Sequence, residues 1–147
     1  MAFARRVFQI AGIYGIIVLA PQYLLEGRIG RDNPPAITHP EYFYGFVGVA
    51  LAWQFVFLLI GRDPIRYRPL MLVGVLEKLA FGPAAYLLYF QGRASTTVVF
   101  FGTLDLVLGA LFVIAYLRVP ASSQGVSSAT ATYPLGSHRD RTPSTRT

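Results

Sequence analysis

Long apolar segments with few polar interruptions make up most of the chain. They cover residues 7–25, 42–60, 70–90 and 97–117. Each is close to the roughly 20 residues that an α-helix needs to cross the hydrocarbon core of a bilayer. Membrane-spanning strands would instead show about 10 residues of alternating polarity, which these uniformly apolar segments lack. The pattern therefore predicts an all-α fold, an integral membrane bundle of four transmembrane helices within residues 1–118.

Residues that flank these segments carry signals for helix starts and turns. Thr38 and Glu41 have the spacing of a capping box, so Thr38 is the predicted N-cap of the second helix. Asp63 followed by Pro64 predicts a capped turn before the third helix. Only the polar residues 91–95 separate the third and fourth segments, and such a short link predicts an antiparallel hairpin.

The composition is that of a membrane protein. Of the 147 residues, 54% are hydrophobic and the mean hydropathy is +0.48, which is too apolar for an ordinary soluble domain. The net charge of +6 comes from basic residues in short stretches that flank the apolar segments. We therefore expect the lipid bilayer as a partner and no nucleic acid. The absence of cysteine excludes disulfides and thiol nucleophiles.

The distribution of arginine between the predicted loops indicates the topology. The positive-inside rule puts the arginine-rich loops in the cytoplasm, so we expect a multi-pass protein of the bacterial inner membrane with both termini cytoplasmic. The residues on the cytoplasmic side are Arg5, Arg6, Arg62, Arg66, Arg68, Arg118, Arg139, Arg141 and Arg146, against Arg28, Arg31 and Arg93 on the other side.

The first apolar segment has a second interpretation, as a cleaved secretory signal peptide. Arg5 and Arg6 precede a short apolar core, and residues 18–20 resemble a cleavage site. Pro21 would directly follow that site and hinder cleavage, which favours a retained transmembrane helix. The later loops keep the same sides of the membrane in either case.

Residues 119–147 differ from the rest of the chain. They are mostly Ser, Thr, Ala, Gly, Pro and Arg and include almost no large apolar side chain. Such a composition cannot offset the entropy lost on ordering, so we expect a disordered cytoplasmic tail. A phosphorylated or lipid-contacting segment is the alternative to a solvated terminus without a specific role.

Three charged residues, Glu77, Lys78 and Asp105, interrupt the apolar segments. A charge within a membrane span usually faces a partner, a water-filled site or an ion path. At 1.5 Å per residue, Glu77, Gln54 and Tyr14 lie at similar depths of about 10 Å from the same membrane surface. These five residues are the candidate ligand or proton cluster. The alternative is a neutralised cluster that only fixes the register of the helices.

Glycines share helical faces with two of these charges. Small residues allow helices to approach closely, so the third and fourth helices are predicted to pack through these faces with a Lys78 to Asp105 ion pair between them. Side chains lean toward their own helix N-terminus, so direct contact in an antiparallel pair requires an extended lysine or a bridging water. The faces comprise Gly74, Lys78 and Gly82 on the third helix, and Gly102, Asp105 and Gly109 on the fourth.

The loop 61–69 carries three arginines, Arg62, Arg66 and Arg68. They are candidate contacts for anionic lipid head groups, although ordinary positive-inside anchoring explains them equally well. This loop, together with the segment from Glu77 to Gly82, resembles a feature of small uncharacterised bacterial four-helix inner-membrane proteins. The resemblance covers about residues 40–85 and implies no activity.

The loop 26–41 holds one histidine, His39, among scattered carboxylates without the spacing of a metal site. A rigid proline-rich connector is favoured over a metal or substrate lid. The sequence has no phosphate loop, dinucleotide fingerprint, nucleophile elbow or zinc-binding helix motif. We therefore predict no cofactor, no metal site and no catalytic residues.

Three functions fit these features. The favoured one is a non-enzymatic binding or scaffold bundle whose polar cluster binds a small lipophilic ligand or fixes packing for a partner. The alternative is a proton-coupled small transporter in which Glu77 or Asp105 titrates, acting as a homo-oligomer because four helices are few for one path. A quinone- or lipid-linked membrane enzyme ranks third, since no helix carries a histidine pair for haem.

Overall fold

The computed structural model describes residues 1–34 and 36–120. In this part the chain is helical, without strands. The helices are α1 (Ala2–Leu19), α2 (Glu26–Asp32), α3 (Pro40–Arg62), α4 (Arg68–Phe90) and α5 (Thr96–Arg118), and a short 3-10 helix, Ala20–Leu24, directly follows α1.

The four predicted spans are confirmed as helices. Each of α3, α4 and α5 has 23 residues, as does α1 taken together with the 3-10 helix, and all four are long and apolar enough to cross a membrane. These are features of a multi-pass membrane protein. Helix α1 begins at Ala2, earlier than the predicted residue 7, because Arg5 and Arg6 are good helix formers that interrupt only the hydropathy.

The predicted tail, 119–147, lies outside the described residues except at its first two positions. Val119, the first residue of that segment, is 2% exposed and belongs to the hydrophobic core. The Val119 carbonyl accepts a hydrogen bond of 2.8 Å from Arg68 Nε. Val119 therefore connects the end of α5 to the start of α4.

The long helices pack as two pairs, α1 with α3 and α4 with α5, and contact between the pairs is sparser. Glycine residues allow α1 and α3 to pack closely. A Cβ atom at Gly12 would lie 2.8 Å from the side chain of Leu58, and one at Gly61 would lie 2.8 Å from that of Gln9. Tight packing within each pair leaves room between the pairs.

Close packing of α4 against α5 through their glycine faces is confirmed. A Cβ atom at Gly102 would lie 2.7 Å from Ala85 Cβ, and one at Gly82 would lie 2.6 Å from Leu106 Cγ. Both distances are shorter than real carbon contacts. Helices α4 and α5 can therefore approach this closely because glycine has no side chain at these positions.

The predicted hairpin between α4 and α5 turns at Gly92, whose φ of 69° lies in the left-handed region. The Gly92 N–H donates to the Tyr89 carbonyl at 2.9 Å, and the Arg93 N–H donates to the Leu88 carbonyl at 2.8 Å. This is the pattern of a Schellman motif, in which glycine is favoured because it lacks a Cβ. The motif ends α4 and reverses the chain.

A cluster of three phenylalanines connects the two helix pairs. Phe8 of α1 stacks on Phe112 of α5 with ring centroids 4.2 Å apart, and Phe57 of α3 meets Phe112 edge-on at 4.9 Å. All three rings are fully buried. They lie toward the end of the bundle where α1 begins, α3 meets α4 and α5 ends, which we call the Arg-rich end after Arg62, Arg66, Arg68 and Arg118.

The turn between α3 and α4 follows its prediction. Asp63 Oδ1 accepts the backbone N–H of Arg66 at 3.2 Å, and the Tyr67 N–H donates to the Asp63 carbonyl at 3.1 Å. Pro64 is buried beneath the turn. The aspartate therefore caps a single turn before α4.

The predicted capping box at Thr38 is wrong. Helix α3 begins at Pro40 with His39 as N-cap, and no hydrogen bond from a described side chain caps it. Proline is pre-organised for the first helical position, which moves the N-cap to the residue just before it. The Glu41 carboxylate lies 3.2 Å from His39 Nδ1 instead of reaching back to Thr38.

The connector before α3 contains a helix that the sequence pattern did not predict. Helix α2 has only seven residues, too few for an apolar periodicity to stand out. The Tyr44 hydroxyl donates to Glu26 Oε2 at 2.7 Å, and the Ser95 hydroxyl donates to Asn33 Oδ1 at 3.3 Å. These bonds hold α2 against α3 and the start of α5 at the end of the bundle opposite the Arg-rich end.

Candidate functional site

A cavity of about 510 Å³ lies between the two helix pairs, and we call it the central cavity. All five helices contribute to its wall. It extends from the level of Gln54 and Lys78 to residues of α2 and the start of α5, including Ile29, Asn33 and Thr97. The cavity therefore reaches toward the α2 end of the bundle, whereas the phenylalanine cluster fills the Arg-rich end.

The five predicted cluster residues all line the central cavity. They come from four different helices, and their side chains line the same cavity. Their functional role stays a prediction. The residues are Tyr14 of α1, Gln54 of α3, Glu77 and Lys78 of α4, and Asp105 of α5.

Lys78 is the centre of the charged group. Its Nζ atom lies 3.0 Å from Asp105 Oδ1 and 3.1 Å from Glu77 Oε2. The lysine side chain is 7% exposed, and those of Glu77 and Asp105 are 19% and 20% exposed. The predicted ion pair to Asp105 is therefore present as a direct contact, and Lys78 also contacts its neighbour Glu77.

The path of the lysine stem explains how it reaches Asp105. A Cβ atom at Gly109 would lie 3.4 Å from Lys78 Cβ, so the stem crosses α5 where that helix has no side chain. The ammonium also lies 5.3 Å from the centre of the Phe57 ring, within range of a cation–π interaction. The close approach of the two helices thus removes the need for a bridging water.

Glu77 retains acceptor capacity. Its Oε1 atom accepts a hydrogen bond of 3.4 Å from Lys78 Nζ, whereas Oε2 approaches Nζ without hydrogen-bond geometry. Oε2 is a buried atom without a hydrogen-bond partner in the described part of the chain. The Lys78 ammonium, 3.1 Å away, still stabilises the charge of this oxygen, although no described residue donates a hydrogen bond to it.

Gln54 is held in a defined orientation. It is 3% exposed, and its Nε2 atom donates to the Ala50 carbonyl one turn earlier at 2.8 Å. Its amide lies directly over Gly15 of α1, where any side chain would overlap it. The glycine therefore makes the space through which the amide reaches the cavity. Tyr14 precedes Gly15 and lines the same cavity from α1.

Apolar side chains form most of the remaining wall. Phe46, Phe81, Phe101 and Leu108 come from α3, α4 and α5, and Val18 comes from α1. The central cavity therefore combines a charged floor with apolar sides. That combination is typical of sites that fix one polar group of an otherwise apolar molecule.

A second, more open cavity lies between α3 and α4, and we call it the α3–α4 cleft. Its volume is about 660 Å³, and its lining includes Gly45 and Trp53 of α3 and Val73 and Ala80 of α4. Sequence reasoning missed it. The sequence feature that could have indicated this cleft is the presence of small residues on the facing sides of the two helices, namely Gly45, Ala50 and Ala80.

The arginines of the loop 61–69 lie outside both cavities. Arg68 is engaged within the protein, because it donates to Val119 and its guanidinium lies 3.8 Å from the centre of the Tyr116 ring. Arg62 and Arg66 are exposed. Their contact with anionic lipid stays a prediction, and Arg68 has a structural role that the sequence did not indicate.

The described residues contain no group of three His, Cys, Asp or Glu side chains that could hold a metal ion. The charged floor of the cavity has two carboxylates for one ammonium, so it carries one negative charge in excess when all three groups are ionised. Asp105 and Glu77 each approach Lys78, but this single cation cannot fully neutralise both.

Comparisons with known proteins leave the site to be interpreted from its own geometry. No protein-family model matches the chain, and neither a curated protein nor a solved structure is significantly similar to it.

Proposed function

We propose that this protein is a non-enzymatic membrane protein that binds a small amphipathic molecule in the central cavity. The polar group of the ligand contacts Glu77, Lys78 and Asp105, and its apolar part packs against Phe81, Phe101 and neighbouring side chains. The observation that carries the proposal is the cavity itself, with its charged floor and apolar walls. A volume of about 510 Å³ is within the range of small-molecule sites.

A purely structural role accounts for less of what is observed. Close packing of α4 on α5 and the Lys78 to Asp105 pair would suffice to fix helix register. Such a role does not require an open space beside the pair. Ligand binding uses this space.

We propose the inner membrane of a bacterium as the location, with the Arg-rich end in the cytoplasm. The support is the positive-inside rule applied to α1, α3, α4 and α5, whose flanking arginines concentrate at that end. The central cavity would then extend toward the periplasmic side. Its ligand would reach it from that side or from the bilayer.

Thermal unfolding of the purified full chain in lipid nanodiscs tests the binding function. The probes are four C18 amphiphiles that differ only in their head: an amine, an alcohol, a carboxylic acid and a quinone. A ligand that binds only the folded state raises its stability by about 2.7 kcal/mol at 100 times the dissociation constant. We expect saturable stabilisation by at least one head class.

A cavity-filling variant provides the control for specific binding. Val98 lines the central cavity, so Val98→Phe should abolish the stabilisation. Val107 is on the same helix, 52% exposed, and outside the described lining, so Val107→Phe should preserve it. If no head class stabilises the protein, or both variants respond like the unchanged chain, the binding function is wrong.

Proton-coupled transport is the second candidate, because the two carboxylates lie at the bottom of a cavity that reaches one end of the bundle. Transport needs a second conformation in which the phenylalanine cluster opens, and four helices would have to act as a homo-oligomer. Proton flux into proteoliposomes that is lost in both Glu77→Gln and Asp105→Asn would support it. Flux equal to protein-free liposomes would exclude it.

A further inference from the structure

The central cavity and the α3–α4 cleft meet at one place. Phe46, Ala50, Glu77 and Phe81 line both of them. The rings of Phe46 and Phe81 have centroids 6.2 Å apart and stand at this boundary, one on each helix. Glu77 is therefore accessible from the interior of the bundle and also from the side.

The cleft opens onto the apolar outer surface of the bundle. Val49 is 64% exposed and Leu76 is 65% exposed, and both line the cleft. Helices α3 and α4 also contact each other far less than the helices within each pair. In a bilayer this cleft faces acyl chains, so a molecule dissolved in the membrane can reach Glu77 without passing through water.

The charge at this junction selects the head group of such a molecule. When all three groups are ionised, two carboxylates and one ammonium leave an excess negative charge, and Glu77 Oε2 contacts Lys78 without a hydrogen bond from any described residue. An ammonium group supplies both the missing charge and N–H donors. A carboxylate head would be repelled by Glu77 and Asp105, and a hydroxyl would supply a donor but leave the charge unbalanced.

We propose that the ligand is a single-chain aliphatic amine whose ammonium contacts Glu77 and whose chain enters the α3–α4 cleft by displacing the contacting rings of Phe46 and Phe81. This inference rests on the proposed binding function. The central cavity receives the head and the adjoining part of the chain, beside Phe101, and the cleft receives the rest of the chain beside lipid acyl chains. The cleft volume of about 660 Å³ accommodates a long segment of an alkyl chain.

The position of Trp53 allows a direct test. It is the only tryptophan of the chain and it lines the cleft, so a bromine atom on a bound alkyl chain quenches its fluorescence on contact. The probe is 9,10-dibromooctadecylamine, added to the full chain in nanodiscs of unbrominated phosphatidylcholine. We expect saturable quenching that unbrominated octadecylamine reverses.

Two pairs of variants separate head recognition from chain position. Glu77→Gln keeps the shape of the side chain and removes its charge, so it should weaken probe binding by about tenfold or more. Glu41→Gln is the same change at an exposed site and should have no effect. Ala80→Phe fills the cleft and should reduce quenching, whereas Ala84→Phe, exposed one turn further along α4, should not.

Several results would overturn the proposal. Dibromooctadecanol that binds as tightly as the amine would show that the charge does not select the head. Stabilisation by the amine without quenching of Trp53 would put the chain outside the cleft. In both cases the binding function stands, whereas failure of every head class to stabilise the unchanged chain rejects both. The head-group comparison uses the unchanged chain, so it remains decisive if Glu77→Gln does not fold.

Discussion

Lys78 Nζ and Asp105 Oδ1 lie 3.0 Å apart and form an ion pair between α4 and α5. The lysine is nearly fully buried, and its stem crosses α5 at Gly109. The same ammonium also contacts Glu77. One cation therefore serves two carboxylates, and the energy of each contact depends on the presence of the other.

Removing the lysine charge should destabilise the bundle. Lys78→Met leaves Asp105 and Glu77 facing each other in a mostly buried site, and breaking a buried pair from one side costs about 3 kcal/mol. We expect a loss of this order in the free energy of unfolding, measured by chemical denaturation in detergent micelles.

Double variants identify the stronger partner of Lys78. Lys78→Met combined with Asp105→Asn should recover more stability than Lys78→Met combined with Glu77→Gln, because Asp105 has the shorter hydrogen bond to Nζ and lies on another helix. Greater recovery with Glu77→Gln would make the contact within α4 the dominant one. Strictly additive losses would show that the three charges act independently.

Gly102 lies where α4 and α5 approach closely. Gly102→Leu has to push Ala85 and Gly82 away, so it should destabilise the protein by about 3 kcal/mol and reduce the fraction recovered folded from the membrane. Gly109→Leu should act in the same direction by displacing the Lys78 stem. Gly45→Leu is the matched control, since no described atom lies within 4 Å of its Cβ position. Equal melting temperatures for all three would contradict the packing.

Arg68 should be sensitive to replacement by lysine. Arg68→Lys keeps the charge but loses the planar group that lies over Tyr116 and donates to the Val119 carbonyl. We expect a loss of about 1 kcal/mol in unfolding free energy. Arg62→Lys, at an exposed site at the end of α3, should leave stability unchanged. Unchanged stability in both variants would indicate that only the charge of Arg68 matters.

A reporter fused after Thr147 tests the orientation. If the Arg-rich end is cytoplasmic, a fused fluorescent protein should be bright and a fused alkaline phosphatase inactive. A fusion inserted at Gly27, in the α2 segment at the opposite end of the bundle, should give the reverse pattern. Phosphatase activity of the Thr147 fusion would overturn the predicted topology.

The number and length of the spans could be predicted because hydropathy over about 20 residues is a local property of the sequence. Helix α2 could not, since seven residues with Gly27 and Gly30 among them give no periodic signal. Its position depends on contacts distant in sequence, such as that of Glu26 with Tyr44. The burial of Val119 could not be predicted for the same reason, since its contact is with Arg68, far away in the sequence.

The similar depth of Tyr14, Gln54 and Glu77 could be predicted, because depth follows from counting residues along each helix. The cavity beside them could not. Its volume depends on how closely Gly15 lets α1 approach Gln54, and on how far α3 stands from α4. The direct contact of Lys78 with Asp105 depends similarly on the distance between the α4 and α5 backbones at Gly109. The direction in which side chains lean along a helix does not predict this distance.

The tight turn at Gly92 has a consequence for how the protein enters the membrane. It joins α4 and α5 directly, so Glu77, Lys78 and Asp105 all lie within two consecutive spans. Inserted singly, α4 would bring two charges and α5 one uncompensated carboxylate into the hydrocarbon. Inserted as a hairpin, the two spans enter with Lys78 in contact with both carboxylates. Joint insertion of α4 and α5 is therefore less costly than insertion of each span alone, and it needs no counter-charge from α1 or α3.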